Sequence, residues 1–496
     1  MKKFLFPVLW VMMVALVMSS CAKSAYKKAI PADAAVVMEL DIKSIAKKAD
    51  LLGQKDAITQ LIKSLAETEE DQQIAGVVAN PMDWGIDVFS PIYVFSDATL
   101  ENGFVLASVA DKEDIIDVLK QASDNTISTQ DDGDYTWINS PDSMVLGVVT
   151  GKALLVGSGQ DKAAYRKLLE QGKDDSFFAS EAGKMMEKNS GDATVMLNMA
   201  SLSDEVKAKA VRELTSGRGR NIPGIEEAAK NLMETKMVLN LLCEKGKISL
   251  NLIADGIEEQ TEQVLIDKID PGTLEQLPAE QLVAVVALSM EGKAYWEAAS
   301  EALETLAMTM GEQGEKMLNA IGQYVQAMDG TLAVSMGGKD WQYDPQLVIL
   351  MPAPKSEFDQ ALNAIGAPMP KQAVIGGDDH MTSVSSMPYT YGAVSAGFDK
   401  ADNAKNAYLY AYLNGAPIRQ MALKEMEYDL RNAPAEIANQ INGLVGLADF
   451  AELKMEEKNA VSLTLWLTDE SDNALAILLS RCIALGQSYT SAMHAE

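Results

Sequence analysis

Residues able to do acid–base, metal or nucleophilic chemistry are few in this 496-residue chain, which has two histidines, His380 and His494, and three cysteines, Cys21, Cys243 and Cys482. A Ser-His-Asp or Cys-His system would have to use His380, because His494 lies at the frayed C-terminus and no Gly-x-Ser-x-Gly elbow supplies a serine. Asp378-Asp379-His380 joins two carboxylates to an imidazole, a donor set that suits a divalent cation. It stands in the second half of the chain where Asp131-Asp132-Gly133-Asp134 stands in the first, so both are expected to be polar hairpin tips. The latter run also lacks the closing Glu and the further ligands of a calcium loop. Val156-Gly157-Ser158-Gly159 places a G-x-G after a strand, but no third glycine and no Lys-Ser or Lys-Thr follows, so a turn is expected rather than a phosphate cradle. Nothing singles out two of the 71 acidic residues as a glycosidase pair. No catalytic residue, metal site or cofactor is expected.

Charge narrows the partners. With 71 acidic and 42 basic residues the formal net charge is −29, which repels phosphate backbones and anionic headgroups. Nucleic acid is excluded as a partner on that ground. The one local reversal is a basic island, Lys207, Lys209, Arg212, Arg218 and Arg220. Arg212, Arg218 and Arg220 are the candidate partner-binding residues, although such a run also serves simply as a solvated loop. Cys243 and Cys482 sit in apolar surroundings and are expected as buried free thiols; a disulfide between them would need their Cα atoms within about 7 Å.

The N-terminal stretch is an address. Lys2 and Lys3 precede the uncharged run 4–18, too short for a permanent span of roughly 20 residues, and Ser19-Ser20-Cys21 follows in the layout of an export signal. Val17-Met18-Ser19-Ser20-Cys21 resembles the lipobox of bacterial lipoproteins, which implies Cys21 as the lipid-attachment residue. Several acyl chains at about 0.8 kcal/mol per buried methylene would hold the chain on a membrane unaided. Ala22 to Lys28 is polar and basic, without the acidic cluster of surface-exported lipoproteins of Bacteroidetes type. The expected location is therefore a bacterial membrane, the outer membrane facing the periplasm.

The elements that must position any site alternate strands with amphipathic helices. Strands are expected at Val36 to Ile42, Ile92 to Ser96, Gly103 to Ala110, Val145 to Val149, Ala153 to Gly157, Met237 to Leu242 and Ile248 to Ile253. Helices are expected from Asp56, from Asp111 as a cap with Ile115, Ile116 and Leu119 as the apolar stripe, and near Asp161. Asp270-Pro271-Gly272 then breaks the chain, and Leu277-Pro278-Ala279-Glu280 echoes Ile30-Pro31-Ala32-Asp33. Lys112 to Leu119 matches Lys355 to Leu362, Gly133-Asp134 matches Gly377-Asp378, and Ile248 to Leu252 matches Val461 to Leu465. Four matches in one order point to a duplication whose surplus, about 34 residues, is expected within Ser201 to Pro223.

The expected fold class is α+β, two tandem, divergent copies of a mixed, largely antiparallel sheet-plus-helix domain. The expected divisions are a signal peptide at 1–20, a tether at 21–29 and repeats at 30–270 and 271–496. A lipobox-like signal, a short tether, Ile30-Pro31-Ala32-Asp33 before a Val-rich strand and a helix start at Asp41-Ile42-Lys43-Ser44 together resemble a family of uncharacterised Bacteroides-type envelope lipoproteins. That resemblance implies no activity. The expected function is a membrane-anchored, non-catalytic envelope lipoprotein that binds a protein or glycan partner. The alternative is a carboxylate-based hydrolase with its site between the repeats.

Overall fold

The computed structural model describes residues 25–65, 84–123, 126–142, 144–157, 161–216, 225–256, 265, 267–309, 311–366 and 372–495. Ten strands lie in the first half: β1 (Val36–Leu40), β2 (Ile92–Ser96), β3 (Gly103–Ser108), β4 (Ser128–Asp132), β5 (Tyr135–Asn139), β6 (Val145–Val149), β7 (Ala153–Gly157), β8 (Ala193–Asn198), β9 (Lys236–Glu244) and β10 (Lys247–Asp255). Its helices are α1 (Ile42–Lys48), α2 (Lys55–Leu65), α3 (Lys112–Ala122), α4 (Lys162–Glu170), α5 (Glu181–Lys188), α6 (Asp204–Leu214) and α7 (Ile225–Leu232).

The second half adds α8 (Pro271–Leu274), β11 (Leu282–Glu291), α9 (Gly292–Thr309), α10 (Glu312–Gln326), β12 (Asp329–Gly337), β13 (Gln346–Met351), α11 (Lys355–Ile365), β14 (Val374–Gly377) and β15 (Thr382–Ser385). It ends with β16 (Leu409–Asn414), α12 (Gly415–Glu425), α13 (Glu427–Asn432), α14 (Ala435–Val445), β17 (Ala448–Glu457), β18 (Ala460–Leu467) and α15 (Ala474–Ala495).

Local chemistry sets these boundaries. Asp41, Asp111, Asp161, Ser180 and Ser203 each accept a hydrogen bond from an otherwise orphaned N–H in the first turn of the helix they precede. The β9–β10 hairpin closes through Gly246 at φ 67°, a left-handed conformation that costs glycine nothing. Every expected strand and helix start that falls on described residues is present.

All pairings are antiparallel and join the eighteen strands into one sheet, in the order β4-β5-β6-β7-β3-β2-β1-β8-β9-β10-β18-β17-β16-β11-β12-β13-β15-β14. The fold is α+β on an antiparallel sheet, as expected. β10 and β18 join the halves, with Leu250 opposite Leu463. From that pair outwards the two halves pair their strands in corresponding order as far as β6 and β14.

Registers stepped outwards from Leu250 and Leu463 set Leu241 opposite Leu453 in the correspondence, then Ala193 with Ala411, Leu155 with Ser385 and Leu106 with Val348. Between positions matched in this way the first half is twelve residues longer from β3 to β7 and twelve longer again from β7 to β8. The first of these stretches contains the additional hairpin β4–β5. Gly377-Asp378 consequently answers by sheet position to the β6–β7 turn and not to Gly133-Asp134, because β15 and β7 are the strands that pair with β13 and β3.

One face of the sheet is sealed. In the first half Val37, Tyr93, Phe95, Phe104, Leu106, Trp137, Leu155 and Met196 pack under Tyr165 of α4, Met186 of α5, Phe177 and the segment Tyr26 to Ile30. In the second half Val285, Ala333, Val348, Leu350, Tyr410 and Tyr412 pack under Leu274, Leu277, Phe398 and Ala404. Tyr26 and Ala29, expected in a tether, belong to this core: Tyr26 is buried and its hydroxyl donates to the Pro91 carbonyl at 2.6 Å. An aromatic ring that packs at a tilt against Tyr93, centroids 6.0 Å apart, cannot remain in a free linker without exposing its apolar area.

Candidate functional site

The residues singled out by sequence disperse. Cys21, Arg218 and Arg220 lie outside the described residues, and Arg212 is exposed on α6, its Nε donating to the Ala208 carbonyl of the same helix at 3.2 Å. Asp378 folds back on its own turn, accepting from the backbone N–H of His380 at 2.8 Å and of Met381 at 2.9 Å. Those bonds hold its carboxyl below the usual aspartate range, the behaviour of a hairpin tip. Asp131 likewise accepts from the Thr136 hydroxyl. Among the described residues no three His, Cys, Asp or Glu side chains are grouped to hold a metal ion. Both remaining thiols are free; Cys243 is buried, but Cys482 is exposed on α15, against the expectation that both would be buried.

Three carboxylates that the sequence does not mark are buried. Asp192 accepts from Ser44 Oγ at 2.6 Å, Lys48 Nζ at 2.8 Å and the Cys243 N–H at 2.7 Å, tying α1 to β9. Glu452 accepts from Tyr410 Oη at 2.7 Å, Asn403 Nδ2 at 2.7 Å and Trp466 Nε1 at 3.1 Å. Acceptors so occupied stabilise a core and have little capacity left for a substrate. Glu39 differs: burial pushes its carboxyl above the usual glutamate range against the pull of Lys27, and it sits opposite Tyr93 and Thr194 within the sealed layer.

A cleft of about 590 Å³ opens beside the N-terminal segment, lined by Tyr26, Lys28, Asp134, Tyr135, Lys152 and Leu169 among others. Its lining includes one carboxylate, Asp134, and two lysines. It therefore lacks the two facing carboxyl groups that glycoside cleavage requires.

The feature of greatest extent is the other face of the sheet. Cross-strand partners share a face, so registers trace it residue by residue. In the first half the ladder runs Val156, Val105, Val94, Met38, Val195, Leu239 and Leu252 to Val461 on β18. From Leu463, two residues along the same face of β18, it continues through Leu453, Ala411, Val286, Val334, Ile349 and Val384 to Ile375. Fifteen strands thus contribute a row that contains only aliphatic side chains and methionine.

This face is incompletely covered. Leu252 is 37% exposed, Leu463 44% and Val286 47%, while Val37 and Val285, on the sealed face of β1 and β11, are fully buried. In the central strands the contrast is sharper still, because Asn240, Asn251, Ser249, Thr464 and Glu452 occupy the sealed side and the leucines the open one. An alternating strand normally turns its apolar side inwards. Helices stand on parts of the open face: α1, α2 and α15 pack over Ile92 and Ala193, α14 and α15 over Ile248 and Leu465, and α10 and α11 over Met290 and Met351. Between them lies an apolar floor.

Sequence reasoning missed this floor. Strands such as Ala153–Gly157, Leu282–Glu291 and Gln346–Met351 do show near-continuous apolar runs, but such runs signal burial on both faces and give no sign of an uncovered one.

The family model described as Domain of unknown function (DUF4836) matches residues 26–343, 318 of the 496. The chain belongs to this family. The match to DUF4836 opens at Tyr26, the first residue buried in the sealed core, and closes at Tyr343 in the loop between β12 and β13. It spans the whole first half of the sheet. No curated protein matches the chain. A solved structure titled "Structure of crystal form IV of TP0453" aligns at 13% identity over 50% of this chain and 90% of that one, with a TM-score of 0.26. A likeness at that level carries no argument. No described helix is long and apolar enough to cross a membrane.

Proposed function

We propose that this DUF4836 chain is a non-catalytic envelope lipoprotein, anchored through Cys21 to a bacterial membrane, that acts by binding a partner over the open face of its sheet. The observation that carries the reading is the aliphatic ladder across fifteen strands, exposed at Val286, Leu252 and Leu463. Exposed apolar patches beyond a few hundred Å² mark interaction sites on soluble proteins. The breadth of the floor comes from both halves of the sheet, since neither half alone spans it.

Anchoring and binding are compatible in geometry. Three residues lie between Cys21 and Ala25, four steps of chain with a reach of at most about 14 Å. Tyr26 then enters the sealed side. An acylated Cys21 would therefore leave the sealed side nearer the membrane and turn the open face towards the compartment.

Two experiments test the reading. Metabolic labelling with a palmitate analogue should tag the native chain and leave the Cys21→Ala variant unlabelled; equal labelling of both removes the anchor. Pull-down from envelope extract should retain a partner on the native chain and lose it on Val286→Glu. Cleavage of a glycan panel by the purified protein would instead establish the hydrolase.

A further inference from the structure

Resting on the reading of Cys21 as a membrane anchor, we propose that the cleft beside the N-terminal segment binds a phosphoethanolamine group, presented as the headgroup of a zwitterionic phospholipid in the leaflet that holds the anchor. Separate elements meet there. The N-terminal segment contributes Lys28, the β4–β5 hairpin Asp134 and Tyr135, and the β6–β7 turn Thr150 and Lys152. The volume of about 590 Å³ falls within the roughly 300–1,000 Å³ of small-ligand sites.

Three charges of this lining have no counterpart. The Lys28 and Lys152 ammonium groups and the Asp134 carboxylate make no hydrogen bond or ion pair among the described residues. The neutral polar side chains are occupied: Tyr26 Oη donates to the Pro91 carbonyl at 2.6 Å, Tyr135 Oη to Glu170 at 2.7 Å, and Thr150 Oγ1 accepts from the Lys152 and Ala153 N–H groups at 3.2 and 3.0 Å. Charges around the cleft are matched as well, Arg166 with Asp132 and Lys112 with Asp131. The turns that carry the unmatched groups are fixed, one by the Thr150 side chain and the other by Gly133 at φ 65°.

Two cations and one anion complement a phosphate that bears a primary ammonium a short distance away. Lysine binds phosphate as a point charge, and a carboxylate accepts charge-assisted hydrogen bonds from an ammonium. A bare phosphate would be repelled by Asp134, a bare cation by both lysines, and a quaternary choline offers Asp134 no N–H. The net charge of −29 repels an anionic headgroup, whereas phosphoethanolamine brings no net charge. Position selects the source. Ala25 also lines the cleft and stands at most about 14 Å of chain from Cys21, so an acylated chain holds the cleft among lipid headgroups at high effective concentration.

The test uses the chain from Ala22 onwards, which keeps every described residue and carries no acyl group. Calorimetric titration with glycerophosphoethanolamine should be saturable. Lys28→Gln with Lys152→Gln should weaken it at least about tenfold without lowering the melting temperature. Asp134→Asn should weaken glycerophosphoethanolamine several-fold and bind glycerol 3-phosphate no more weakly than the native chain does. In flotation, phosphatidylcholine vesicles should carry the chain only when phosphatidylethanolamine is mixed in, and should leave the double lysine variant behind.

No saturable heat, or heat that the double lysine variant keeps, overturns the proposal. So does inorganic phosphate or glycerophosphocholine binding as tightly as glycerophosphoethanolamine, which would make the cleft a general anion site. Headgroup binding without flotation overturns the lipid source and assigns a free phosphoethanolamine ester instead. The anchor fails separately: an unlabelled Cys21 removes the membrane from the proposal, while the titration, run without acyl groups, decides the chemistry of the cleft by itself.

Discussion

The two faces of the sheet are built from the same strands and treated in opposite ways. On the sealed side aromatic rings fill the layer: Trp137 lies within ring-contact distance of Tyr135 and Tyr165, and Phe95 stacks on Phe104 at 5.0 Å. Polar groups admitted there, such as Glu452, have their acceptors filled. The ladder of the open side contains no aromatic residue and no hydrogen-bonding side chain, yet part of it faces solvent. The difference separates two jobs. Aromatic interlock fixes one structure, while an aliphatic floor accepts any contour of methylene groups and specifies none.

That contrast is broken most severely at Trp137. Trp137→Ala deletes a fully buried ring from the sealed core and should cost about 4 kcal/mol of stability, read by chemical denaturation as a lowered midpoint. A loss under about 1 kcal/mol would show that the sealed layer does not carry the fold.

A smaller effect is expected from Glu39, a carboxylate of the sealed layer whose ionised form burial disfavours. Burial raises the Glu39 carboxyl above its unfolded value, so the native state binds more protons across the interval between the two. Stability therefore falls as pH rises through that interval and is regained as pH is lowered. Glu39→Gln removes the titration; its stability advantage over the native chain should be largest at about pH 7 and shrink towards about pH 4. An advantage constant with pH would place the proton exchange elsewhere.

Much of the local structure was legible in the sequence. Asp111 ahead of Ile115, Ile116 and Leu119 announced a capped amphipathic helix, and Val145 to Val149 with Ala153 to Gly157 announced a hairpin, because caps and periodicity are local signals. The long-range arrangement was not written locally. The offset between halves could be counted, and Ser201 to Pro223 drew attention through its composition, but that the first half is longer from β3 to β7 and from β7 to β8 shows only in the matched registers. Tyr26 was assigned to a tether because its neighbours Lys27 and Lys28 are basic; only the fold shows Lys27 lying over the Tyr93 and Phe178 rings. The floor escaped because an apolar strand residue gives the same signal whether or not something covers it.

The smallest effect is expected at the position that sharpens the contrast most. Val286→Thr keeps the shape of the side chain and its β-branched preference for a strand, and adds a hydroxyl where the native residue is 47% exposed. In a sealed core an added hydroxyl without a partner costs roughly 1–3 kcal/mol. At Val286 water satisfies it, so denaturation should register a change within about 0.5 kcal/mol. The sealed neighbour Val285→Thr, one residue earlier on β11 and fully buried, should pay the larger cost. Equal losses at the two positions would mean that the open face is covered in solution, and that what covers it is already part of the folded protein.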